Sequence, residues 1–237
     1  MFHDATIWIA IGTIVSIVLV IFLAFTAESR KSNDRTLLDL NCSKRVMRIL
    51  LLLLILFSFN GLNAQRKKAY FASGCFWCVE AIFETIPGVI NATSGYAGGT
   101  SLNPTYQQVC SGVTGYAETV EVTFNEKNVS FEKLLEVFFN SHDPSTLNRQ
   151  GPDVGTQYRS TIFYINEKQK KGAEKYISDL LKDRKFDRIT TTIEEMNRFY
   201  PAEKYHQDFV RNNPNHPYVL SVSNKRKQRF LKKTKKQ

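Results

Sequence analysis

From Lys67 onward the hydrophobic pattern switches repeatedly between the period of a strand and that of a helix. This alternation limits the fold more than any other feature of the chain. Residues 67–73 read as a short strand running into Gly74, and 75–85 as a helix ended by Ile86-Pro87-Gly88. Residues 89–99 read as a strand entering a loop with Gly95, Gly98 and Gly99. Within 118–125, Val120, Val122 and Phe124 alternate with Glu121 and Thr123, as in a half-buried strand. Phe131, Leu134, Leu135, Phe138 and Phe139 recur at helical spacing behind a Ser130 cap. A strand at 160–165 and an Asn166-capped helix at 167–182 follow, then a β-branched strand at 189–196 and a short helix at 201–212. Strands and helices mixed without a regular strand–helix–strand rhythm predict an α+β fold, a mixed β-sheet with helices packed on it.

Composition bounds the rest. With 237 residues, 43% of them hydrophobic and 23% charged, the chain can bury a core and is neither disordered nor collagen-like. The net charge of +10 sits at its ends: residues 225–237 hold eight Lys or Arg and no acid. Residues 65–224 hold 18 basic and 18 acidic side chains. The domain at 65–224 is therefore neutral, and no nucleic-acid-binding face is expected. The basic tail at 225–237 reads as a solvated charge run, with contact to an anionic surface as the lesser alternative. The loop around Gly98 does not match a phosphate-cradling fingerprint, so no nucleotide is implied.

Two apolar runs precede the domain. Residues 7–25 are nineteen uncharged residues, roughly 28 Å as a helix and long enough to span a bilayer. Residues 49–59 are too short for that. They follow Lys44, Arg45 and Arg48 and precede Leu62-Asn63-Ala64, the pattern of a signal peptide cleaved after Ala64. Met47 sits where an initiator would sit. Segment 47–64 is thus read as signal-peptide-like, and 1–46 as an upstream extension or a membrane anchor. Either version places residues 65 onward outside the cytoplasm, in the periplasm or the extracellular space, membrane-anchored if 1–46 is retained.

Of four cysteines, Cys42 lies outside the domain, and Cys75, Cys78 and Cys110 are too few for a disulfide framework. Cys75 and Cys78 flank Phe76-Trp77 directly after a strand and Gly74. A helix N-terminus favours thiolate over thiol, which makes Cys75 the expected more reactive sulfur. Residues three apart on a helix stand about 5 Å apart, within disulfide range. A zinc site would need further ligands, and His142, His206 and His216 are not at zinc spacing, so no metal is expected. A thioredoxin-like dithiol and a pair of inert buried thiols are the other two readings of this pair.

The string Gly74-Cys75-Phe76-Trp77-Cys78-Val79-Glu80 resembles the signature of the A-type peptide methionine sulfoxide reductases. So do Gly95-Tyr96-Ala97-Gly98-Gly99, Asn103-Pro104-Thr105-Tyr106 and Val109-Cys110-Ser111-Gly112. Thr114-Gly115-Tyr116-Ala117-Glu118, His142-Asp143-Pro144 and the stretch from Asp153 to Ser160 extend the resemblance, which covers 69–214. It implies a two-layer α+β domain that reduces the S epimer of methionine sulfoxide, free or in oxidised proteins. No bound cofactor is implied. Electrons would come from an external thioredoxin-like dithiol, and a monomer is expected.

Reduction of a sulfoxide needs a nucleophilic sulfur, a proton donor at the oxygen and an apolar cup for the methyl group. Cys75 is the expected nucleophile and Glu118 the expected acid, raised in pKa by partial burial. The resemblance implies that Phe76 and Trp77 line the methyl pocket. It likewise implies that Tyr106 and Tyr158 bond the sulfoxide oxygen and that Asp153 is a second carboxylate. Attack leaves Cys75 as a sulfenic acid, which a nearby thiol condenses to a disulfide. The chain has no cysteine after Cys110, so Cys78, Cys110 or an external thiol must resolve it. Helical spacing favours Cys78. Tyr116 departs from the family's usual histidine and leaves the hydrogen bonding near Glu118 open. A thiol–disulfide exchange protein using Cys75 and Cys78 is the alternative function.

Overall fold

The structure, a computed structural model, describes residues 66–235. Both apolar runs, the Met47 start and the 1–46 and 47–64 segments lie outside the described residues. Among those described, no helix is long and apolar enough to cross a membrane.

Among the described residues, eight strands form in chain order. They are β1 (Arg66–Ser73), β2 (Val89–Ala97), β3 (Ala117–Asn125), β4 (Arg149–Gln150), β5 (Asp153–Val154), β6 (Ser160–Tyr164), β7 (Thr192–Glu195) and β8 (Phe199–Pro201). The helices are α1 (Phe76–Phe83), α2 (Tyr106–Cys110), α3 (Phe131–Ser141), α4 (Glu167–Lys182), the single turn α5 (Phe209–Asn212) and α6 (Asn224–Thr234). Six strands make one sheet in the order β7-β6-β1-β3-β2-β8, and β4 pairs with β5 separately. Within the large sheet only β6 and β7 run parallel. The mixed sheet with packed helices is the α+β architecture the alternating pattern predicts.

Register follows from the two-residue period. Phe71 of β1 stands opposite Val120 of β3 and Ile162 of β6, and all three face the main core with Val122 and Phe124. Tyr70, Ala72, Ala117 and Phe163 point the other way into a smaller apolar cluster with Ala97. The ring of Phe71 stacks on Phe83 of α1 at 5.0 Å and meets Phe138 of α3 at 5.2 Å, which ties both helices to one face. Helix α3 opens as expected, with the Ser130 hydroxyl accepting from Lys133 N–H at 3.1 Å. Helix α4 opens with the Asn166 side chain accepting from Gln169 N–H at 3.0 Å.

Three expectations change. The helix expected at 201–212 is instead strand β8, a 3₁₀ turn at Lys204–His206 and the single turn α5. Strand β8 pairs with β2, Ala202 N–H donates to the Ser94 carbonyl, and Asp208 takes a left-handed backbone at φ 55°, which breaks any continuous helix. The strand expected at 189–196 narrows to β7, which pairs only with the edge of β6. The basic tail is not simply a solvated run. Residues 224–234 form α6, whose Phe230 is 2% exposed and Arg226 5% exposed, while its lysines face outward.

Candidate active site

The site is built at the junction of β1 and α1. Gly74 joins them with φ 84°, and a Cβ there would stand 2.5 Å from the Gln150 Cβ, so no larger residue fits. This turn places Cys75 at the N-cap of α1, so the helix proper begins one residue later than expected. Cys75 is 6% exposed, and Cys75, Cys78 and Cys110 are all free thiols. Cys75 and Cys78 hydrogen-bond each other, as the helical spacing suggested.

Glu118 reaches the same point from β3. It precedes Val120, Val122 and Phe124 by even numbers of residues, so the strand period turns it onto the helix-covered face. It is 2% exposed, and its Oε2 accepts the Phe76 N–H at 2.9 Å, beside Cys75. Burial pushes its carboxyl up to about 8, against the opposing pull of that hydrogen bond, and the charges of Asp153 and Cys78 add to the rise. A carboxyl so placed is protonated at neutral pH and can donate.

An aromatic wall surrounds this pair. Phe76 is buried and packs against Trp77, Tyr96, Tyr106 and His206. Trp77 is only partly covered: it stacks on Phe209 of α5 at 3.7 Å and donates its indole N–H to His206 Nδ1 at 3.1 Å. Tyr106, at the start of α2, hydrogen-bonds Cys110 through its hydroxyl. Burial raises the phenols of both Tyr106 and Tyr158, and Glu118 and Cys110 act on each of them. Asp153 of β5 accepts the Tyr218 hydroxyl at 2.6 Å, and burial raises its carboxyl as well. The eight residues singled out from the sequence thus converge on the head of α1. Tyr116 does not bond Glu118: its hydroxyl donates to the Ser101 carbonyl and its ring meets Tyr200 edge-on.

Burial acts against charge at Cys75. Burial pushes the Cys75 thiol well up, and the neighbouring Cys78 and Glu118 push the same way. Cys78 is held down at about 6, first by the hydrogen bond from Cys75, then by the Arg226 guanidinium, Ser223 and Tyr218 against the cost of burial. The two buried thiols are coupled through their hydrogen bond, and Arg226, Ser223 and Tyr218 favour a negative charge at Cys78.

Tyr218, Ser223, Arg226, Glu203 and His206 are site residues that sequence reasoning missed. Glu203 accepts the Tyr96 hydroxyl at 2.7 Å and the Tyr106 N–H at 2.9 Å, which fixes the start of α2. Each lies far in sequence from Cys75, and no spacing rule connects them to it. Among the described residues, no cluster of three or more His, Cys, Asp or Glu could hold a metal ion.

Comparison with known proteins bears on this geometry directly. The family model of peptide methionine sulfoxide reductase matches residues 67–237. The peptide methionine sulfoxide reductase MsrA of Nautilia profundicola is 49% identical over 165 residues, covering 70% of this chain and 94% of that protein. The MsrA of Acinetobacter baumannii is 54% identical over 152 residues, covering 64% and 87%. Among solved structures, reduced Mxr1 from Saccharomyces cerevisiae superposes with a TM-score of 0.61 at 35% identity, covering 65% of this chain and 88% of that one. Methionine sulfoxide reductase A of Corynebacterium diphtheriae gives 0.58 at 34%, covering 64% and 77%. The matched span contains the paired thiols, the buried acid and the whole aromatic wall, so the chain belongs to the peptide methionine sulfoxide reductase family.

Proposed function

We propose that this enzyme reduces the S epimer of methionine sulfoxide, free or within oxidised proteins, to methionine, with Cys75 as nucleophile and Glu118 as acid. The observation that carries the reading is the 2.9 Å hydrogen bond from Phe76 N–H to Glu118, which sets a buried, protonated carboxyl beside Cys75. Cys75 attacks the sulfoxide sulfur as a thiolate, with the single proton of the hydrogen-bonded pair on Cys78. Glu118 gives its proton to the oxygen. The oxygen ends on Cys75 as a sulfenic acid and methionine departs, the substrate sulfur reduced by two electrons that Cys75 supplies. Tyr106 and Tyr158 are neutral donors toward the oxygen, Asp153 is the second carboxylate, and Phe76 and Trp77 form the cup for the methyl group.

Cys78 then passes its proton to the Glu118 carboxylate and attacks the sulfenic sulfur as a thiolate. An S–S bond forms, the S–O bond breaks, and the departing oxygen takes the proton from Glu118 and leaves as water. An external thioredoxin-like dithiol reduces the disulfide. The signal-peptide-like segment at 47–64 supports export, with 1–46 as an anchor if retained. N-terminal sequencing of the native protein separates the two versions: a chain starting at Gln65 supports a Met47 start with cleavage after Ala64, and an intact Met1 refutes that and leaves 1–46 in place.

The activity test uses the full chain, each epimer of a blocked methionine sulfoxide, and dithiothreitol. Turnover of the S epimer alone, abolished by Cys75→Ser, is expected. Turnover that survives Cys75→Ser overturns the assignment, and insulin reduction without sulfoxide turnover supports the disulfide-exchange alternative instead.

A further inference from the structure

The C-terminal segment brings no cysteine to the site, yet it reaches the dithiol. A π-helical turn at Val219–Ser223 runs into α6, and at that junction the Ser223 Oγ lies 3.1 Å from the Cys78 Sγ. Cys78 donates to that hydroxyl when it is a thiol. As a thiolate it has no proton, and the hydroxyl must turn and donate to sulfur. One turn further on, Arg226 is 5% exposed despite its charge. Its Nε donates to the Ser141 carbonyl at 2.8 Å, and its Nη2 donates to the Ser73 hydroxyl at 3.1 Å. Its Nη1 lies 3.5 Å from where a Cβ on Gly74 would stand, so the guanidinium passes over the backbone that leads into Cys75. No carboxylate partners Arg226 in an ion pair among the described residues. A buried charge of this kind calls for a counter-charge.

We propose that Ser223 and Arg226 are positioning residues for the reaction, holding Cys78 as the charged sulfur that closes the disulfide on Cys75. The inference rests on the reading that Cys78 resolves the sulfenic acid. Among the described residues, the titratable and charged groups acting on Cys78 are Cys75, Tyr218, Glu118 and Arg226, and Arg226 is the cation of that set.

The test uses the full chain with Cys42 and Cys110 changed to serine, so that the thiolate absorbance at 240 nm reports Cys75 and Cys78. Ser223→Ala and Arg226→Met are each expected to move the first thiolate midpoint up by about one pH unit, through the loss of one hydrogen bond for Ser223 and of the nearby cation for Arg226. The pH profile of disulfide formation in a single turnover should move with it, and Arg226→Lys should restore most of both. An unmoved midpoint, or a moved midpoint with an unmoved profile, overturns the proposal. If Arg226→Met does not fold, as judged by near-ultraviolet circular dichroism, Ser223→Ala decides alone. Mass spectrometry of the otherwise unaltered chain after one turnover tests the underlying reading separately: a Cys75–Cys110 bridge removes Cys78 as resolver whatever the titration shows.

Discussion

Glu118→Gln should abolish most activity while making the protein more stable at neutral pH. The side chain is 2% exposed and its carboxyl is raised from an ordinary 4.5 to about 8. The fold therefore prefers the protonated form, and the unfolded chain releases that proton first. The stability this group contributes is full below pH 4.5 and is lost as pH rises toward 8. At 1.36 kcal/mol for each pH unit, the wild type loses about 2.5 kcal/mol between pH 5 and pH 7 on this account. Glutamine stays neutral throughout, and its carbonyl can still accept the Phe76 N–H. Urea denaturation of both proteins at pH 5, 6 and 7 isolates the effect, because titrating groups that do not act on Glu118 cancel in the difference. The variant should gain on the wild type by about 2.5 kcal/mol across that range, while kcat/KM for the S epimer falls by about 10²- to 10⁴-fold, the usual worth of a general acid. Parallel stability profiles would refute the buried, protonated carboxyl. A variant that keeps full activity would refute its role as the acid.

Other outcomes follow from neighbouring groups. His142 is buried and held down at about 3 by loss of water and by Arg226, so its fold prefers the neutral ring. The stability it contributes is present above pH 6.5 and is lost as pH falls, by about 2 kcal/mol at pH 5. His142→Gln should therefore show a flatter acid limb in denaturation curves, and an unchanged limb would count against the neutral ring. Cys78→Ser should still release one methionine per chain and then hold Cys75 as a sulfenic acid that a cyclic dione traps, seen as a mass increment. Absence of the adduct with a second disulfide present would shift the resolving role to Cys110. Trp77→Ala should lower kcat/KM by about fourfold or more, since exposing one methyl group to water costs about 0.8 kcal/mol. Phe76→Ala should instead cost about 3 kcal/mol of stability, because that ring is fully buried. Equal effects of the two substitutions on stability would contradict their different burial.

Much of the domain was legible in the sequence because the relevant signals are local. A period-two pattern located β3, and side-chain caps at Ser130 and Asn166 located α3 and α4. The phase of β3 also carried more than its apolar residues, for it turned Glu118 onto the same buried face as Val120. The segment at 201–212 misled because Pro201 and the polar run after it suit a helix locally, whereas Ala202 and Gln207 are tied to Ser94 on β2. The basic tail misled for a related reason. Its charge count hides two inward positions, Arg226 and Phe230, four residues apart on one face of α6.

The sequence by itself determined which chemical groups were available: two thiols at helical spacing, a carboxylate in phase with a buried strand face, and flanking aromatic rings. These depend on identity and spacing along the chain, and spacing survives folding. Only the tertiary structure decided what surrounds the two sulfurs. Proton affinity depends on how much water each atom loses and on which groups arrive from elsewhere, and here both sulfurs are buried while Ser223 and Arg226 come to Cys78 from the far end of the domain.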